Sequence, residues 1–161
     1  GAGSVDQGVV NHYARDVRNE QGCYDKNTGM MSDISVESNE LARQVMDHAF
    51  TIHREMGPGL LESVYETCFC HLFQENGLSF ERQKQIPVIF QGVNIDAGFR
   101  ADIIIEKQLL LELKSVDSLQ RIHEAQILNY LRLAGIELGF LINFNEKLLK
   151  DGLKRYVQSS V

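Results

Sequence analysis

The feature that most constrains the fold is a pair of aliphatic runs separated by three polar residues. The segment from Gly98 to Ser115 reads GFRADIIIEKQLLLELKS. Each run is long enough for one strand, and the polar residues Glu106-Lys107-Gln108 between them are typical of a hairpin turn. If the turn has three residues, Ile105 pairs with Leu109 in an antiparallel ladder. We therefore expect the chain to be built around this hairpin.

The same register brings three charged side chains onto one patch. Counting back along the ladder places Asp102 opposite Glu112, and alternation puts Lys114 on the same face as Glu112. Opposed residues have Cβ atoms roughly 4.5–5.5 Å apart, where like charges are destabilising unless they are neutralised. Carboxylate oxygens suit Mg²⁺ or Mn²⁺, so a divalent cation is one way to neutralise them.

The alternative for these three residues is a solvated polar face with a surface ion pair of little energetic worth. Short motifs of this kind often arise by chance. However, the charges interrupt near-continuous aliphatic runs, which mark strands covered on both faces, and an unpaired charge there is costly. This context favours a functional site.

Composition predicts one globular domain. The chain has 161 residues, of which 43% are hydrophobic and 24% are charged, enough for a single sizeable core. It has no apolar run of membrane-spanning length and no secretion signal, so we expect neither a membrane span nor export. Three cysteines, an odd number, argue against a disulfide scaffold and favour a reducing cytoplasm.

The net charge of -6 argues against a protein that holds nucleic acid by bulk electrostatics. It leaves open an enzyme whose acidic site is offset by a metal ion and by local cations.

Residues 1–30 have weak periodicity and a Gly/Ser-rich opening, which favours a non-native leader or tag. The alternative is a short arm that docks on the domain, which we assign to residues 31–161.

Helical periodicity predicts two helices before the hairpin. The first covers Ser38 to Met56, with Ser38 or Asn39 as its cap. The second begins near Leu60, ends at Asn76-Gly77 and carries Glu62 in its first turn. Glu62 could simply complement the helix N-terminus. The other interpretation directs Glu62 and Tyr65, three residues apart, toward the carboxylates.

The remaining elements complete an α/β fold. We predict a strand over Leu78 to Phe90, with Pro87 at an edge or bulge. A helix over Leu119 to Leu133 and a strand over Glu137 to Phe144 form a crossover after the hairpin. The tail favours a helical turn and a short final strand. The expected sheet is mixed, with an antiparallel hairpin joined to a parallel pair and helices covering it.

These residues carry a resemblance to a known family. Asp102, then Glu112-Leu113-Lys114, then a helix with Gln126 and Tyr130, resembles the PD-(D/E)XK nuclease superfamily and its RecB-like branch. The segment GLLESVY from Gly59 to Tyr65 is similar to the motif of the GxxExxY protein family. Four further segments resemble that family in order: RADIII, LELKSV, AQILNYLR and GFLINF. The resemblance implies a restriction-endonuclease-like fold over roughly residues 41–157.

The resemblance also implies a role for each site residue. Asp102, Glu112 and the backbone carbonyl of Leu113 would bind the metal, with Glu62 as an additional acidic ligand. Lys114 would position or activate the attacking water. Gln126 and Tyr130, one turn apart, would contact the substrate or the catalytic lysine, although either could also decorate a half-buried helix. Ala101 stands where the superfamily's name has proline.

The function implied is hydrolysis of phosphodiester bonds by water activated on Mg²⁺ or Mn²⁺, with DNA as the expected partner. A homodimer is one possible assembly, and the sequence does not decide it. Two alternatives stay open: a non-catalytic module that keeps the fold to bind nucleic acid or protein, and a structural role without metal. The sequence leaves DNA and RNA, single and double strands, and end or internal cleavage undecided.

Overall fold

The computed structural model describes residues 23–24, 31–32, 34–96 and 98–158. The helices are α1 (Val36–Met56), α2 (Glu62–Glu75) and α3 (Arg121–Ala134), and a 3-10 turn covers Leu149–Gly152. The strands are β1 (Cys23–Tyr24), β2 (Met31–Ser32), β3 (Phe80–Gln85), β4 (Val88–Phe90), β5 (Val93–Ile95), β6 (Arg100–Ile105), β7 (Leu109–Lys114), β8 (Leu138–Asn143) and β9 (Leu153–Val157).

The β6–β7 hairpin lies at the centre of a five-stranded sheet ordered β3-β6-β7-β8-β9. Ile105 pairs with Leu109 across the turn, and Ile103 pairs with Leu111. The turn is tight because Glu106 and Lys107 both take positive φ angles, 52° and 57°. The register predicted from turn length and alternation is therefore confirmed.

The crossover prediction is also confirmed. Strands β7 and β8 are parallel, joined through α3, whereas β3–β6, β6–β7 and β8–β9 are antiparallel. The 3-10 turn and β9 follow in the tail, as expected. The sheet is thus mixed and flanked by helices, consistent with a restriction-endonuclease-like fold.

Helices cover both faces of the sheet. On one face α1 and α2 pack on alternate residues of the central strands, among them Ile103, Leu111 and Phe140. On the other face α3 packs through Ile127 and Leu131 on Ile104, Leu110 and Leu141. Because side chains alternate along a strand, Asp102 and Glu112 share the face of Ile104 and Leu110. The charged patch therefore lies on the α3 side.

The start of α1 differs from the prediction. Its N-cap is Ser35, whose side chain accepts a hydrogen bond from the Ser38 backbone N–H, so the expected cap at Ser38 or Asn39 is wrong. Ser35 lies three residues before Ser38, where its oxygen can reach an otherwise unpaired N–H of the first turn. The end at Met56 is as predicted, and Gly57 follows with a φ of 72°.

The single strand predicted over Leu78 to Phe90 is divided in two. Strand β3 ends at Gln85, and β4 begins at Val88 and pairs with β5 in a separate hairpin. Pro87 lies at the break, because a residue without an N–H cannot continue the ladder. The sequence Gln91-Gly92 also predicts a turn that leads from this strand into the central hairpin, but in the structure that turn joins β4 to β5, so this expectation is wrong.

The predicted leader over residues 1–30 lies outside the described residues except for Cys23–Tyr24, which pairs antiparallel with Met31–Ser32. The domain boundary at residue 31 stays a prediction. Within the described ranges, none of the helices combines the length and apolar character that crossing a membrane requires.

Candidate active site

Asp102 and Glu112 lie side by side where the β6–β7 ladder opens. The backbone N–H of Asp102 donates to Glu112 Oε1 at 3.1 Å, and the backbone N–H of Leu113 donates to Asp102 Oδ2 at 2.7 Å. Carboxylate oxygens thus accept N–H groups that would otherwise bond to a facing strand. Each acid is fixed by the backbone of the opposite strand, and the predicted juxtaposition is present.

Burial and mutual repulsion disfavour two negative charges here. Glu112 is only 3% exposed, and desolvation, followed by the charge of Asp102, raises its pKa to about 8. Desolvation also raises the pKa of Asp102, although the hydrogen bonds from Leu113 and Gln83 oppose this. Such a pair is stabilised by a proton or by a nearby cation.

Lys114 provides nearby positive charge. It is half-buried at the end of β7, and its charge lowers the pKa of both Asp102 and Glu112. The ion pairs within 4 Å that the described residues form do not include Lys114. Its ammonium therefore acts on both carboxylates without being locked to either.

Glu62 lies at the same end of the sheet. Its Oε1 accepts the backbone N–H of Ser115 at 3.3 Å, one residue after Lys114. The charge of Glu62 contributes to the raised pKa of Glu112, so the two carboxylates are close enough to interact. Glu62 is exposed. It is the first residue of α2 and so lies in the first turn, as predicted, although the helix begins two residues after the expected start near Leu60.

Tyr65 does not join the carboxylates, so the interpretation that directed it toward them together with Glu62 is wrong for Tyr65. Its hydroxyl donates to the Gly57 carbonyl at 2.7 Å and accepts the Leu60 N–H at 3.0 Å. Its buried ring stacks on Phe144, with centroids 4.2 Å apart. Tyr65 therefore closes the loop before α2, while Gly59 supplies a φ of 89° that other residues rarely adopt.

This loop is tied directly to the end of β7. Ser115 Oγ donates to the Leu60 carbonyl at 2.7 Å, in addition to the bond between Ser115 N–H and Glu62. The segment from Gly59 to Tyr65 thus holds Glu62 beside β7, the strand that carries Glu112. Its sequence pattern is explained by this geometry.

Tyr130 on α3 lies near the acidic pair, and Gln126 on the same helix is bonded to Tyr130. Gln126 Nε2 donates to Tyr130 Oη at 2.8 Å. Burial is the main cause that raises the pKa of Tyr130, and the charges of Glu112 and Asp102 act in the same direction. The phenol therefore lies within electrostatic reach of both acids. Phe99 borders it, with ring centroids 5.7 Å apart.

Leu113 can contribute only through its backbone. Its side chain is buried in the core on the α1 and α2 side, and its N–H is bonded to Asp102. The predicted ligand role of its carbonyl stays a prediction.

Sequence reasoning missed Glu66 and Gln83. Glu66 is on α2 and 7% exposed, and Gln83 is on the edge strand β3. Gln83 Nε2 donates to Glu66 Oε2 at 3.1 Å and to Asp102 Oδ1 at 3.3 Å. Arg82 Nε donates to Glu66 Oε1 at 3.2 Å. No sequence signal distinguishes these residues from polar surface positions.

Asn143 was also missed, although it supports the loop after Lys114. It is fully buried at the end of β8 and pairs in register with Lys114. Its amide accepts the Val116 N–H at 3.1 Å and donates to the Val116 carbonyl at 2.9 Å. This pair of hydrogen bonds extends the β7–β8 ladder through a side chain and fixes the backbone just after β7.

The donor set matches a hard divalent cation in its chemistry. Within residues 34–96 and 98–158, no group of three histidine, cysteine or acidic side chains is gathered closely enough to hold a metal ion. Asp102 and Glu112 nevertheless offer adjacent carboxylate oxygens whose charges repel in a desolvated place. A divalent cation with oxygen ligands relieves that repulsion.

Comparison with known proteins agrees with this geometry. The model of the PD-(D/E)XK nuclease superfamily matches residues 39–156, which include most of α1, the five-stranded sheet except for the last residue of β9, and all the site residues discussed above. Members of the superfamily are usually nucleases and generally use divalent metal ions. Neither the curated proteins nor the solved structures contain a match to the chain. The chain belongs to the PD-(D/E)XK nuclease superfamily.

Proposed function

We propose that the chain is a divalent-metal-dependent nuclease that hydrolyses phosphodiester bonds, with DNA as its first candidate substrate. The observation that carries this proposal is the pairing of Asp102 with Glu112 beside Lys114, on the face covered by Gln126 and Tyr130. Within the superfamily we assign it to the GxxExxY family of the RecB-like branch, on the basis of the Gly59 to Tyr65 segment. Three uses of this arrangement follow.

Asp102 and Glu112 would hold Mg²⁺ or Mn²⁺, with the Leu113 carbonyl and Glu62 as further ligands. The bound ion would supply a Lewis acid for the phosphate and lower the pKa of a water molecule. Glu112 has to be deprotonated for this role. Because the pKa of Glu112 is about 8 without a metal, cation binding and deprotonation are coupled.

Lys114 would supply fixed positive charge to the phosphate as negative charge develops on it, and would orient the attacking water. Among the described residues Lys114 forms no ion pair within 4 Å, and this supports the role, because an ammonium held in an ion pair would be less available. Gln126 and Tyr130 would present an amide and a phenol to the substrate or to Lys114. Their mutual hydrogen bond at 2.8 Å limits both side chains to a narrow range of orientations.

We place the activity in the cytoplasm, with nucleic acid as the partner and a homodimer as the arrangement that would act on two strands. The compartment rests on cysteine usage: Cys70 is buried and Cys68 half-buried on α2, and both are free thiols. Burial raises the pKa of both thiols, which fits packing residues rather than reactive or metal-binding groups.

The test is a cleavage assay of the purified chain on linear duplex, circular duplex, single-stranded DNA and RNA with Mg²⁺, Mn²⁺ or chelator. We expect cleavage with a divalent ion and none with chelator. Lys114→Ala should lower the rate by at least about 100-fold, and Lys107→Ala, in the exposed hairpin turn, is the matched control. Full activity of Lys114→Ala with both ions would show that the assignment is wrong. Survival of circles while linear molecules shorten would identify an exonuclease.

One observation favours a second candidate, a non-catalytic module that binds nucleic acid or protein. Asp102 and Glu112 already accept backbone N–H groups, and the described residues hold no ready group of three ligands. Calorimetric titration with Mn²⁺ distinguishes the two. Saturable binding that is lost in Glu112→Gln supports the nuclease, and heat-silent titration of the wild type supports the module.

A further inference from the structure

Gln83 has an unusual backbone conformation for a residue inside a strand. Its φ is +47°, a left-handed value that residues with a side chain seldom adopt. Its neighbours keep the β3–β6 register, since Arg82 pairs with Ile103 and Lys84 pairs with Ala101, but the ladder skips Gln83. A strained residue held between two regular ones is a reason to look for a function.

The side chain of Gln83 joins two carboxylates. Its Nε2 atom donates to Asp102 Oδ1 at 3.3 Å and to Glu66 Oε2 at 3.1 Å. An amide nitrogen carries two hydrogens, so both bonds can form at once. One of these acids belongs to the candidate site, and the other lies on α2.

The strained backbone explains how this bridge is built. Consecutive residues of a regular strand point to opposite faces, yet Arg82 and Gln83 both reach the carboxylate of Glu66. The left-handed conformation of Gln83 breaks the alternation and makes this possible. Arg82 Nε holds Oε1 at 3.2 Å, so the nearly buried Glu66 is fixed through both oxygens.

We propose that Gln83 is a positioning residue for Asp102. Arg82 orients Glu66, Glu66 orients the Gln83 amide, and that amide fixes Asp102 Oδ1 while the Leu113 N–H fixes Oδ2. Asp102 is thereby held in one orientation beside Glu112. This inference rests on the proposed function, because the orientation matters if Asp102 binds a metal ion. Removing a group that orients a metal-coordinating side chain typically lowers metal affinity or activity by about 10-fold to 100-fold.

The test compares Gln83→Met with Gln85→Met. Methionine is close to glutamine in length and lacks the amide. Gln85 lies two residues along the same strand and is exposed, and its side chain takes part in none of the hydrogen bonds described for residues 34–96 and 98–158. We expect Mn²⁺ to bind Gln83→Met at least about 10-fold more weakly by calorimetry, and Gln85→Met to match the wild type.

A second readout separates positioning from general support of the fold. If Gln83 acts through Asp102, kcat should fall in Gln83→Met while KM for the oligonucleotide changes little. Melting temperatures in chelator show whether each variant is folded. Should Gln83→Met fail to fold, Gln83→Asn replaces it, because asparagine keeps the amide but is one methylene too short to reach both acids. The same loss of Mn²⁺ affinity is expected for it.

Glu66→Gln completes the design. If Glu66 acts through Gln83, adding Glu66→Gln to Gln83→Met should cause no further loss of Mn²⁺ affinity. Equal Mn²⁺ affinity and equal kcat in Gln83→Met and Gln85→Met would overturn the positioning role. That result differs from a failure of the proposed function, in which the wild type itself neither binds Mn²⁺ nor cleaves nucleic acid.

Discussion

Glu112 accepts the backbone N–H of Asp102 at 3.1 Å, so one acid of the pair is bonded to the main chain of the other. The two carboxylates lie on adjacent strands in a desolvated place, and this raises the pKa of each. The backbone bonds hold the carboxylates together despite their repulsion. The dependence of stability on pH should report this arrangement directly.

Replacing Glu112 with glutamine should make stability less sensitive to alkaline pH. The pKa of Glu112 is about 8 in the folded chain, above its ordinary 4.5. Between these values the folded state binds more protons than the unfolded state, so the free energy of unfolding falls as pH rises. Glutamine cannot ionise and escapes this loss. In chelator, the Tm of Glu112→Gln minus that of the wild type should increase by about 5 °C between pH 5 and pH 8.5.

The matched control for this experiment is Glu75→Gln, at the exposed end of α2. It should show the same Tm difference at both pH values. A Glu112→Gln difference that is likewise constant with pH would contradict a raised pKa at Glu112.

A divalent cation should stabilise the wild-type chain. At a concentration 100 times its Kd, a ligand that binds only the folded state raises the free energy of unfolding by about 2.7 kcal/mol. We expect thermal scans with Mn²⁺ or Mg²⁺ to show this increase over chelator. Asp102→Asn and Glu112→Gln should abolish this stabilisation by the cation. Glu62→Gln should only reduce it, because one carboxylate oxygen of Glu62 is already bonded to the Ser115 N–H. An unchanged increase in Asp102→Asn would place the bound ion elsewhere.

Tyr65→Phe should destabilise the loop that carries Glu62. The change keeps the stacking on Phe144 but leaves the Leu60 N–H and the Gly57 carbonyl without the hydroxyl. Leaving buried polar groups unpaired costs about 1–3 kcal/mol, measurable as a lower urea midpoint. Ser115→Ala removes the hydrogen bond from the Ser115 hydroxyl to the Leu60 carbonyl, which also holds this loop. It should lower cleavage activity. Wild-type stability in Tyr65→Phe would show that the hydroxyl contacts are not maintained in solution.

Asn143→Leu should be destabilising despite its similar volume. The buried amide pairs with both backbone groups of Val116 and also accepts the Asn145 N–H. Leucine would leave these groups unpaired, at a cost of about 2–3 kcal/mol by urea denaturation. The control Asn129→Leu, on the exposed face of α3, should change the free energy of unfolding by less than about 0.5 kcal/mol. Similar effects of the two changes would argue against a special role for Asn143.

The parts of the site that sequence predicted correctly depend on local geometry. Turn length and side-chain alternation determine which residues of β6 and β7 face each other, so Asp102 and Glu112 could be paired by counting. Gln126 and Tyr130 share a helix face because residues four apart in an α-helix are neighbours on its surface. The end of α3, predicted at Leu133 and found at Ala134, is explained by the next residue, Gly135, which takes a left-handed conformation with a φ of 67° that glycine adopts readily.

The parts that sequence did not predict depend on contacts between distant segments. Glu66 is one of several polar residues on α2 until β3 packs beside it. The positive φ of Gln83 has no local signal, because its neighbours Arg82 and Lys84 are regular strand residues. Tyr65 shares a helix face with Glu62, but the direction of its side chain is decided by the Gly57 loop and Phe144.

The irregular conformation of Gln83 has a consequence for association between chains. Strand β3 forms one edge of the sheet, and an exposed edge can recruit strands from other chains and lead to aggregation. A left-handed residue in the middle of β3 interrupts the straight row of backbone donors and acceptors that a recruited strand needs. Glu81, Arg82 and Lys84 add charge along the same edge, and Pro87 lies two residues beyond its end. The feature that holds Asp102 in place therefore also protects the sheet from growing into a larger aggregate.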